Sequence, residues 1–166
     1  RRRIGTCQFA TENLRHGVLS NLGQAISRDI GIVIVAHGGL AAEYRAAMEH
    51  VVGPQQGVAT VAIDPNDIRA AKQAEICQAI EAVDMGAGVV VVTDMFGGTP
   101  SNLALAACND EQRRVIYGAN LPLLIKLAKA RGKPLGEAVT SALDAGRKYI
   151  DCCAPVVSDS ALVTTK

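Results

Sequence analysis

Short runs of apolar, mostly β-branched residues constrain the fold of this 166-residue chain more than any other feature. They lie at 30–36, 58–63 and 88–93, and stretches with helical spacing separate them. Such runs are typical of strands that are buried on both faces, as in a parallel sheet covered by helices. Strands that alternate with helices are joined by right-handed crossovers. The pattern therefore predicts an α/β fold, a three-layer α-β-α sandwich around a mostly parallel sheet.

The rest of the chain adds helices and shorter strands to this sandwich. Apolar spacing and turn residues predict helices over 41–52, 67–83, 100–109, 121–130 and 135–147, and strands over 114–117 and 149–157. In the second helix we expect Ile68, Ile76 and Ile80 to face the sheet. We expect Asp64 to cap that helix rather than to act as an acid.

Residues 1–29 differ from the remainder of the chain. They have no starting Met, weak periodicity, and five Arg against two acidic residues. We interpret them as a poorly ordered leader or an expression remnant. No repeat or linker interrupts the following pattern, so we expect a single domain over 30–157 and a tail over 158–166.

Composition excludes several classes of function. The net charge of +1 argues against a dedicated nucleic-acid binder, and an aromatic content of 3% argues against a base-stacking surface. Five scattered cysteines without a C-x-x-C motif indicate neither a disulfide scaffold nor a structural zinc site. Because no apolar run approaches the ~20 residues of a membrane helix, we expect a soluble cytoplasmic protein.

A histidine and an aspartate mark the ends of two predicted strands, where ligands bind in open parallel sheets. His37 is the histidine at a strand end, whereas His16 lies in the leader and His50 on the polar side of a helix. Asp94 follows the third apolar run, and its carboxylate reaches His37 if the two strands are neighbours, ~4.8 Å apart. A carboxylate that holds one ring N–H leaves the other nitrogen as a nucleophile. An ordinary loop histidine and a helix-capping aspartate are the alternative.

The segment after Asp94 has the residues of an anion-binding loop. Gly97 and Gly98 let the backbone approach a ligand closely. Thr99 is expected to be the N-cap of the next helix and Pro100 its first residue, so that free N–H groups and the Thr99 hydroxyl favour an anion. A glycine-rich turn before a capped helix is the alternative. The chain contains no P-loop motif, no dinucleotide-binding motif and no carboxylate cluster for a metal.

A nucleophilic histidine, an orienting aspartate and an anion cradle together predict a phosphohistidine site. Such a site needs no metal or other cofactor when the phosphoryl donor is itself a phosphohistidine protein. Gly38, Phe96 and Asn120 are candidates for its rim, although we favour a helix-capping role for Asn120.

Three segments resemble one known family in residues, order and spacing. Gly31–Glu43, Asp94–Asn102 and Gly118–Leu124 are similar to segments of the IIA domain of the mannose-type (mannose/fructose/sorbose) phosphoenolpyruvate-dependent sugar phosphotransferase system. The resemblance extends over about 30–150. Met95 stands where Leu or Trp is usual, and Ala119 where Val is usual.

The resemblance implies a flavodoxin-like sheet and a role as a phosphocarrier in sugar uptake. It implies that His37 accepts a phosphoryl group from phosphorylated HPr and passes it to a IIB component. It also implies that Asp94 hydrogen-bonds His37 and that the loop with Thr99 holds the phosphate. The family forms homodimers and meets the membrane only through IIC and IID partners.

Two other functions remain open at this point. A free-standing regulatory IIA protein would use the phosphorylation state of His37 to control a partner protein rather than sugar uptake. A small-ligand-binding flavodoxin-like domain, or the related dihydroxyacetone-kinase phosphocarrier, fits the G-G-T-P and H-G-G-L-A segments less well.

Overall fold

The computed structural model describes residues 28–153, in which strands and helices alternate as expected. The strands and helices of these residues are β1 (Gly31–His37), α1 (Leu40–Val52), β2 (Val58–Ile63), α2 (Arg69–Val83), β3 (Val89–Thr93), α3 (Thr99–Ala107), β4 (Arg113–Tyr117), α4 (Leu121–Ala130) and α5 (Leu135–Lys148). Most boundaries lie within one or two residues of those predicted.

The strands form one parallel sheet in the order β2-β1-β3-β4. The chain leaves β1 toward one side to form β2, then returns across β1 to form β3. Ligands bind at such a reversal of strand order, in the crevice beyond the carboxyl ends of the strands. The register pairs Val35 with Val61 on one side and with Thr93 on the other, so β1 and β3 end next to each other.

Helices cover both faces of the sheet, which confirms the three-layer α/β prediction. Ile32 and Ile34 of β1 pack with α1, α4 and α5, whereas Val33 and Val35 pack with α2 and α3. Successive side chains of a strand point to opposite faces, so a strand between two helical layers must be apolar throughout. That requirement explains the uninterrupted run from which the fold was predicted.

The start of α2 corrects two predictions. Ile68 is the N-cap of α2 and is 73% exposed, so it does not face the sheet. Asp64 does not cap the helix either, because it lies in a tight turn closed by two hydrogen bonds: the Asp67 N–H donates to the Asp64 carbonyl, and the Asp64 N–H donates to Asp67 Oδ2. The helix therefore begins later than its apolar spacing indicates.

The predictions for the two ends of the chain fall mostly outside the described residues. Residues 149–153 form no strand, so the expected final strand is wrong for this part, and its remainder over 154–157 lies outside the described residues. The predicted leader and tail lie almost entirely outside them as well. Among residues 28–153, no helix has the length and apolar character needed to cross a bilayer.

A buried arginine connects two segments at the amino-terminal end of the sheet. Arg131, which follows α4, is 7% exposed. Its Nε donates to the carbonyl of Ile30 at 2.6 Å and its Nη1 to the carbonyl of Gln56 at 2.6 Å. The Arg131 carbonyl in turn accepts the Ile30 N–H at 3.0 Å. One side chain thus joins the segments that lead into β1 and β2.

Candidate functional site

His37 and Asp94 meet at the crevice between β1 and β3. His37 is the last residue of β1, and Asp94 directly follows β3. The imidazole Nδ1 lies 2.7 Å from Asp94 Oδ2, which also accepts the backbone N–H of His37 at 3.1 Å. The next N–H, that of Gly38, donates to the carbonyl of Ile63 in β2. The main chain at the histidine is therefore fastened toward both neighbouring strands.

The carboxyl group of Asp94 is surrounded by donors. Partial burial raises the pKa of Asp94, but hydrogen bonds from the His37 backbone, the His37 ring and the Met95 N–H outweigh it and hold the pKa below its ordinary value. Asp94 is therefore ionised at neutral pH and can only accept hydrogen bonds. Nδ1 must then carry the proton of a neutral His37 ring, which leaves Nε2 with a free electron pair.

The free side of the imidazole is accessible. The His37 side chain is 45% exposed, whereas that of Asp94 is only 11% exposed. The carboxylate that contacts the ring is thus shielded from water, and the imidazole is open to solvent. This is the arrangement expected of a nucleophile that is fixed from behind.

The loop before α3 runs along the edge of this ring. A Cβ atom added at Gly98 would lie 3.0 Å from His37 Cε1 and 3.6 Å from Nε2, so glycine here leaves space for the imidazole in its observed position. Gly97 has a φ of 81°, a conformation that side chains rarely adopt, so it must be glycine for reasons of backbone geometry. The two glycines predicted as one loop feature have different physical causes.

The helix α3 begins one residue earlier than predicted. Gly98 is its N-cap, Thr99 its first residue and Pro100 its second, so the prediction that Thr99 caps the helix is wrong. Pro100 suits this position because its missing N–H would have no partner within the helix. Within residues 28–153 the N–H groups of Gly98 and Thr99 donate no hydrogen bond. They are free for a ligand next to Nε2.

A cavity of about 760 Å³ opens beside the histidine. Thr99 and Leu103 of α3 line it on one side, and the turn at Asp64 with the first residues of α2 lines it on the other. His37 and Gly38 border it, which puts the Thr99 side chain and the imidazole on the same space. Gly38, predicted as a rim residue, does lie at this boundary.

Exposed apolar side chains lie on the other side of the site. Met95, Phe96 and Tyr117, here called the apolar rim, are 55%, 65% and 55% exposed. The rings of Phe96 and Tyr117 contact each other with their centroids 4.8 Å apart. Large apolar groups that gather at the surface mark a site of protein contact more often than a catalytic group.

Asn120 acts as the helix cap that the sequence favoured. Its Oδ1 accepts the Leu123 N–H at 3.0 Å and its Nδ2 donates to the carbonyl of Gly146 at 3.4 Å. These bonds use both ends of the amide within the domain.

Ser101 was missed by the sequence analysis. It is fully buried in the first turn of α3, accepts the Gly97 N–H at 3.0 Å and donates to the Gly98 carbonyl at 3.2 Å. A serine after G-G-T-P looks like an ordinary helix residue. Its position three and four residues after the two glycines was the available signal, because one helical turn brings a side chain back to that distance.

Residues 28–153 contain no group of three or more His, Cys, Asp or Glu side chains that could hold a metal ion. The polar residues that line the cavity include Asp64 and Asp67 as well as Arg69, Lys72 and Thr99. Beside His37, the N-terminus of α3 is the part that favours an anion.

A family model described as PTS system fructose IIA component, EIIA-man, matches residues 31–143. The match covers every strand and both loops of the site. The chain belongs to this family. The family resemblance expected from three sequence segments is thereby confirmed.

Curated relatives carry names from the same system. The chain is 29% identical over 124 residues to the PTS system mannose-specific EIIAB component of Escherichia coli, covering 73% of this chain and 38% of the relative. It is 25% identical over 103 residues to the PTS system fructose-specific EIIA component of Bacillus subtilis, covering 61% of this chain and 70% of the relative. The chain thus spans about two fifths of the Escherichia coli protein.

Solved structures share the fold. The mannose/sorbose specific IIA subunit of Enterococcus faecalis superposes with a TM-score of 0.68 at 25% identity, covering 76% of this chain and 96% of that one. A sigma-54 interaction domain protein of the same organism has a TM-score of 0.63 at 10% identity, covering 74% and 93%. The second likeness shows only the common architecture.

Proposed function

We propose that the protein is a phosphocarrier that accepts a phosphoryl group on His37 Nε2 from phosphorylated HPr and passes it to a IIB component. The observation that carries this proposal is the 2.7 Å contact between His37 Nδ1 and Asp94 Oδ2 beside the N-terminus of α3. This contact leaves Nε2 as the nucleophilic nitrogen and orients it toward solvent. The ionised Asp94 carboxylate lies on the opposite side of the ring. Family membership supports the same role.

The chemistry is an exchange between two phosphorus–nitrogen bonds. The electron pair of Nε2 attacks the phosphorus of the donor phosphohistidine, the donor P–N bond breaks, and its electron pair returns to the donor ring. The His37 ring then carries both the phosphoryl group and the Nδ1 proton, and so becomes positively charged. Asp94 offsets this charge through the short contact that it already makes. No metal is needed because one P–N bond replaces another.

The start of α3 would hold the phosphoryl oxygens. Gly98 lies beside the Cε1–Nε2 part of the His37 ring, and Thr99 lines the same cavity as His37. A helix N-terminus favours negative charge, and preorganised N–H donors need no rearrangement as charge develops. The Gly97 N–H is not available to the phosphoryl group, because Ser101 Oγ accepts it.

The apolar rim supports a protein rather than a small molecule as donor. Met95, Phe96 and Tyr117 present exposed side chains next to the reactive histidine. Aromatic side chains at a surface are typical anchors of protein interfaces. Docking on the rim would cover His37 and exclude water from the transferring phosphoryl group.

Onward transfer to a IIB component is supported by the relatives. The Escherichia coli relative is named as a combined EIIAB component, and this chain matches 38% of its length. The Bacillus subtilis relative is named as an EIIA component alone. We propose that a IIB component uses the same exposed face of His37 as the donor.

A homodimer is proposed on the geometry of β4. In the described sheet β4 pairs with β3 on one side and forms an edge on the other. A groove of about 340 Å³ runs along it, lined by Ile116, Leu143 and Ile150 among others. An open strand edge can accept a strand of another chain. Light scattering is expected to give twice the chain mass, and a monomer at high concentration would contradict the proposal.

Incubation with phosphoenolpyruvate, enzyme I and HPr tests the acceptor step. We expect an acid-labile phosphate on His37 and none on the His37→Ala variant. His50→Ala is a matched control, because His50 is an exposed histidine on α1 and should leave labelling unchanged. Full labelling of His37→Ala would refute the assignment.

Addition of a IIB component tests the second step. Phosphate should leave His37 and appear on the IIB protein, at a rate that increases with the concentration of IIB. Phosphate that stays on His37 would contradict the carrier role and favour the regulatory alternative.

A further inference from the structure

Ser101 contacts the loop that touches the reactive histidine, although its side chain does not reach the histidine itself. It lies in the first turn of α3 and is fully buried. Its Oγ accepts the Gly97 N–H at 3.0 Å and donates to the Gly98 carbonyl at 3.2 Å. A single hydroxyl therefore bonds two peptide groups, Phe96–Gly97 through its electron pair and Gly98–Thr99 through its proton, and these flank the Gly97–Gly98 peptide.

These two bonds fix the path of the loop. Gly97, with its φ of 81°, would otherwise have a wide choice of conformations, since glycine is the least restricted residue. The Asn102 side chain adds a weaker contact, from Nδ2 to the Gly97 carbonyl at 3.4 Å. Ser101 thus fixes the peptide groups before and after the Gly97–Gly98 peptide, while Asn102 contacts the carbonyl of that peptide itself.

The fixed path determines where Gly98 lies. A Cβ built on Gly98 would lie 3.0 Å from His37 Cε1, so Gly98 lies beside the ring and its position sets the space that the ring has. The same bonds turn the Gly97 N–H inward to Ser101, while the N–H groups of Gly98 and Thr99 stay free. Ser101 therefore selects which peptide groups face the phosphoryl position.

We infer that Ser101 is a positioning residue for phosphoryl transfer: by holding the peptide groups on either side of the Gly97–Gly98 peptide, it sets both the position of the loop beside His37 and the pair of N–H groups that receives the phosphoryl oxygens. The effect on transfer rests on the proposed function, whereas the effect on loop and ring does not.

The test measures labelling of His37 with phosphoramidate, a small donor whose P–N bond breaks as Nε2–P forms and ammonia leaves. This donor makes the measurement independent of any partner protein. Ser101→Ala is expected to label about tenfold more slowly, because misplacement of a catalytic geometry by a fraction of an ångström has effects of this order. Ser101→Thr retains the hydroxyl and should recover most of the rate; Ser101→Cys replaces it if the extra methyl group prevents folding.

Two NMR readouts separate positioning from loss of stability. In the unmodified protein, the Gly97 amide should exchange slowly with solvent, and His37 Hε1 should show a nuclear Overhauser effect to the Gly98 Hα protons. Ser101→Ala should accelerate that exchange and weaken that effect. Thr140→Ala is the matched control, because the Thr140 hydroxyl donates to the Gly136 carbonyl at 3.0 Å on α5 and its loss should change none of these signals.

The outcomes distinguish the two proposals. Ser101→Ala that labels at the original rate, or that slows labelling without a change in the Gly97 and His37 signals, would overturn the role of Ser101. A protein that phosphoramidate labels in a Ser101-dependent way but that phosphorylated HPr does not label would refute the proposed function and leave the positioning role intact.

Discussion

The amino-terminal and carboxyl-terminal ends of the sheet each have a cationic or potentially cationic side chain that is hydrogen-bonded to a neighbouring segment. The two side chains differ in their exposure to solvent. At the amino edge, Arg131 is 7% exposed and directs its donors at main-chain carbonyls of the segments before β1 and β2. At the carboxyl edge, His37 engages one ring nitrogen with Asp94 and leaves the other exposed.

The difference teaches how a fold separates stability from reactivity. A buried group whose donors are all satisfied adds to stability, since removing it leaves carbonyls without partners. A group that is held at one atom and open at another adds little to stability, yet its free atom is oriented before any partner arrives. A side chain that is hydrogen-bonded to a neighbouring segment can therefore contribute either to stability or to reactivity.

Replacement of Arg131 should give the largest effect on stability. Arg131→Ala leaves the Ile30 and Gln56 carbonyls without their donor and is expected to lower the free energy of unfolding by about 3 kcal/mol. At a temperature where the variant is folded, His37 labelling should be unchanged. Urea unfolding followed by circular dichroism measures the first quantity. Lys133→Ala, an exposed cation nearby, is the control and should shift stability by less than about 0.5 kcal/mol.

Replacement of Asp94 should instead affect phosphoryl transfer more than stability. Asp94→Asn keeps the shape but loses the charge that orients the ring and offsets its positive charge, so transfer to His37 should slow about a hundredfold, or about 2.7 kcal/mol in activation free energy. Single-turnover labelling by phosphorylated HPr measures it. Unaltered kinetics would show that Asp94 has no part in transfer. The two ends of the sheet would then not differ in the way described.

A methyl group at Gly98 should have a smaller effect on the same rate. Gly98→Ala brings a Cβ to 3.0 Å from His37 Cε1 and should slow labelling about tenfold by displacing the ring. Gly39→Ala is the matched control, since a Cβ there meets nothing within 4 Å and the Gly39 φ of −72° suits alanine. Equal rates in the two variants would mean that the close approach at Gly98 has no functional role.

Acid should reveal the smallest effect. The folded pKa of Asp94 lies below the unfolded value of about 3.9, so its contribution to stability is full above that value and is lost as pH falls through the folded pKa. The difference in unfolding free energy between the original protein and Asp94→Asn should therefore shrink from about pH 5 to about pH 2. A difference that stays constant would show that the contact does not favour the ionised carboxylate.

The sequence predicts the central strands because burial on both faces leaves a composition that few other structures produce. It also brings His37 and Asp94 together, since both follow buried strands and parallel strands end at one edge. The order of the strands was the missing step. Adjacency of β1 and β3 depends on the path of the crossovers, which a flavodoxin-like resemblance supplied and periodicity alone did not.

Other features depend on contacts that no local pattern contains. Ile68 continues the apolar spacing of α2 but lies before the helix, because the turn at Asp64 and Asp67 uses up the residues that periodicity assigned to helix. Thr99 and Pro100 suit the N-cap and first helical position as well as the first and second positions. The structure has the second arrangement, with Gly98 as the N-cap. Arg131 follows a helix in a stretch that resembles an ordinary turn, and its partners lie about a hundred and about seventy-five residues away in sequence.

The main chain at His37 has a wider consequence. Its own N–H is fastened to the loop after β3 and the N–H of the next residue to the end of β2, so the direction of approach to the nucleophile is built into the frame of the sheet. In the proposed function, partner recognition depends on exposed side chains such as Phe96, which are not part of that frame. Exchange of rim side chains would then redirect the domain to another donor or acceptor without retuning the nucleophile. In the proposed function, the reactive group would stay the same while the exposed side chains around it change from one partner to another.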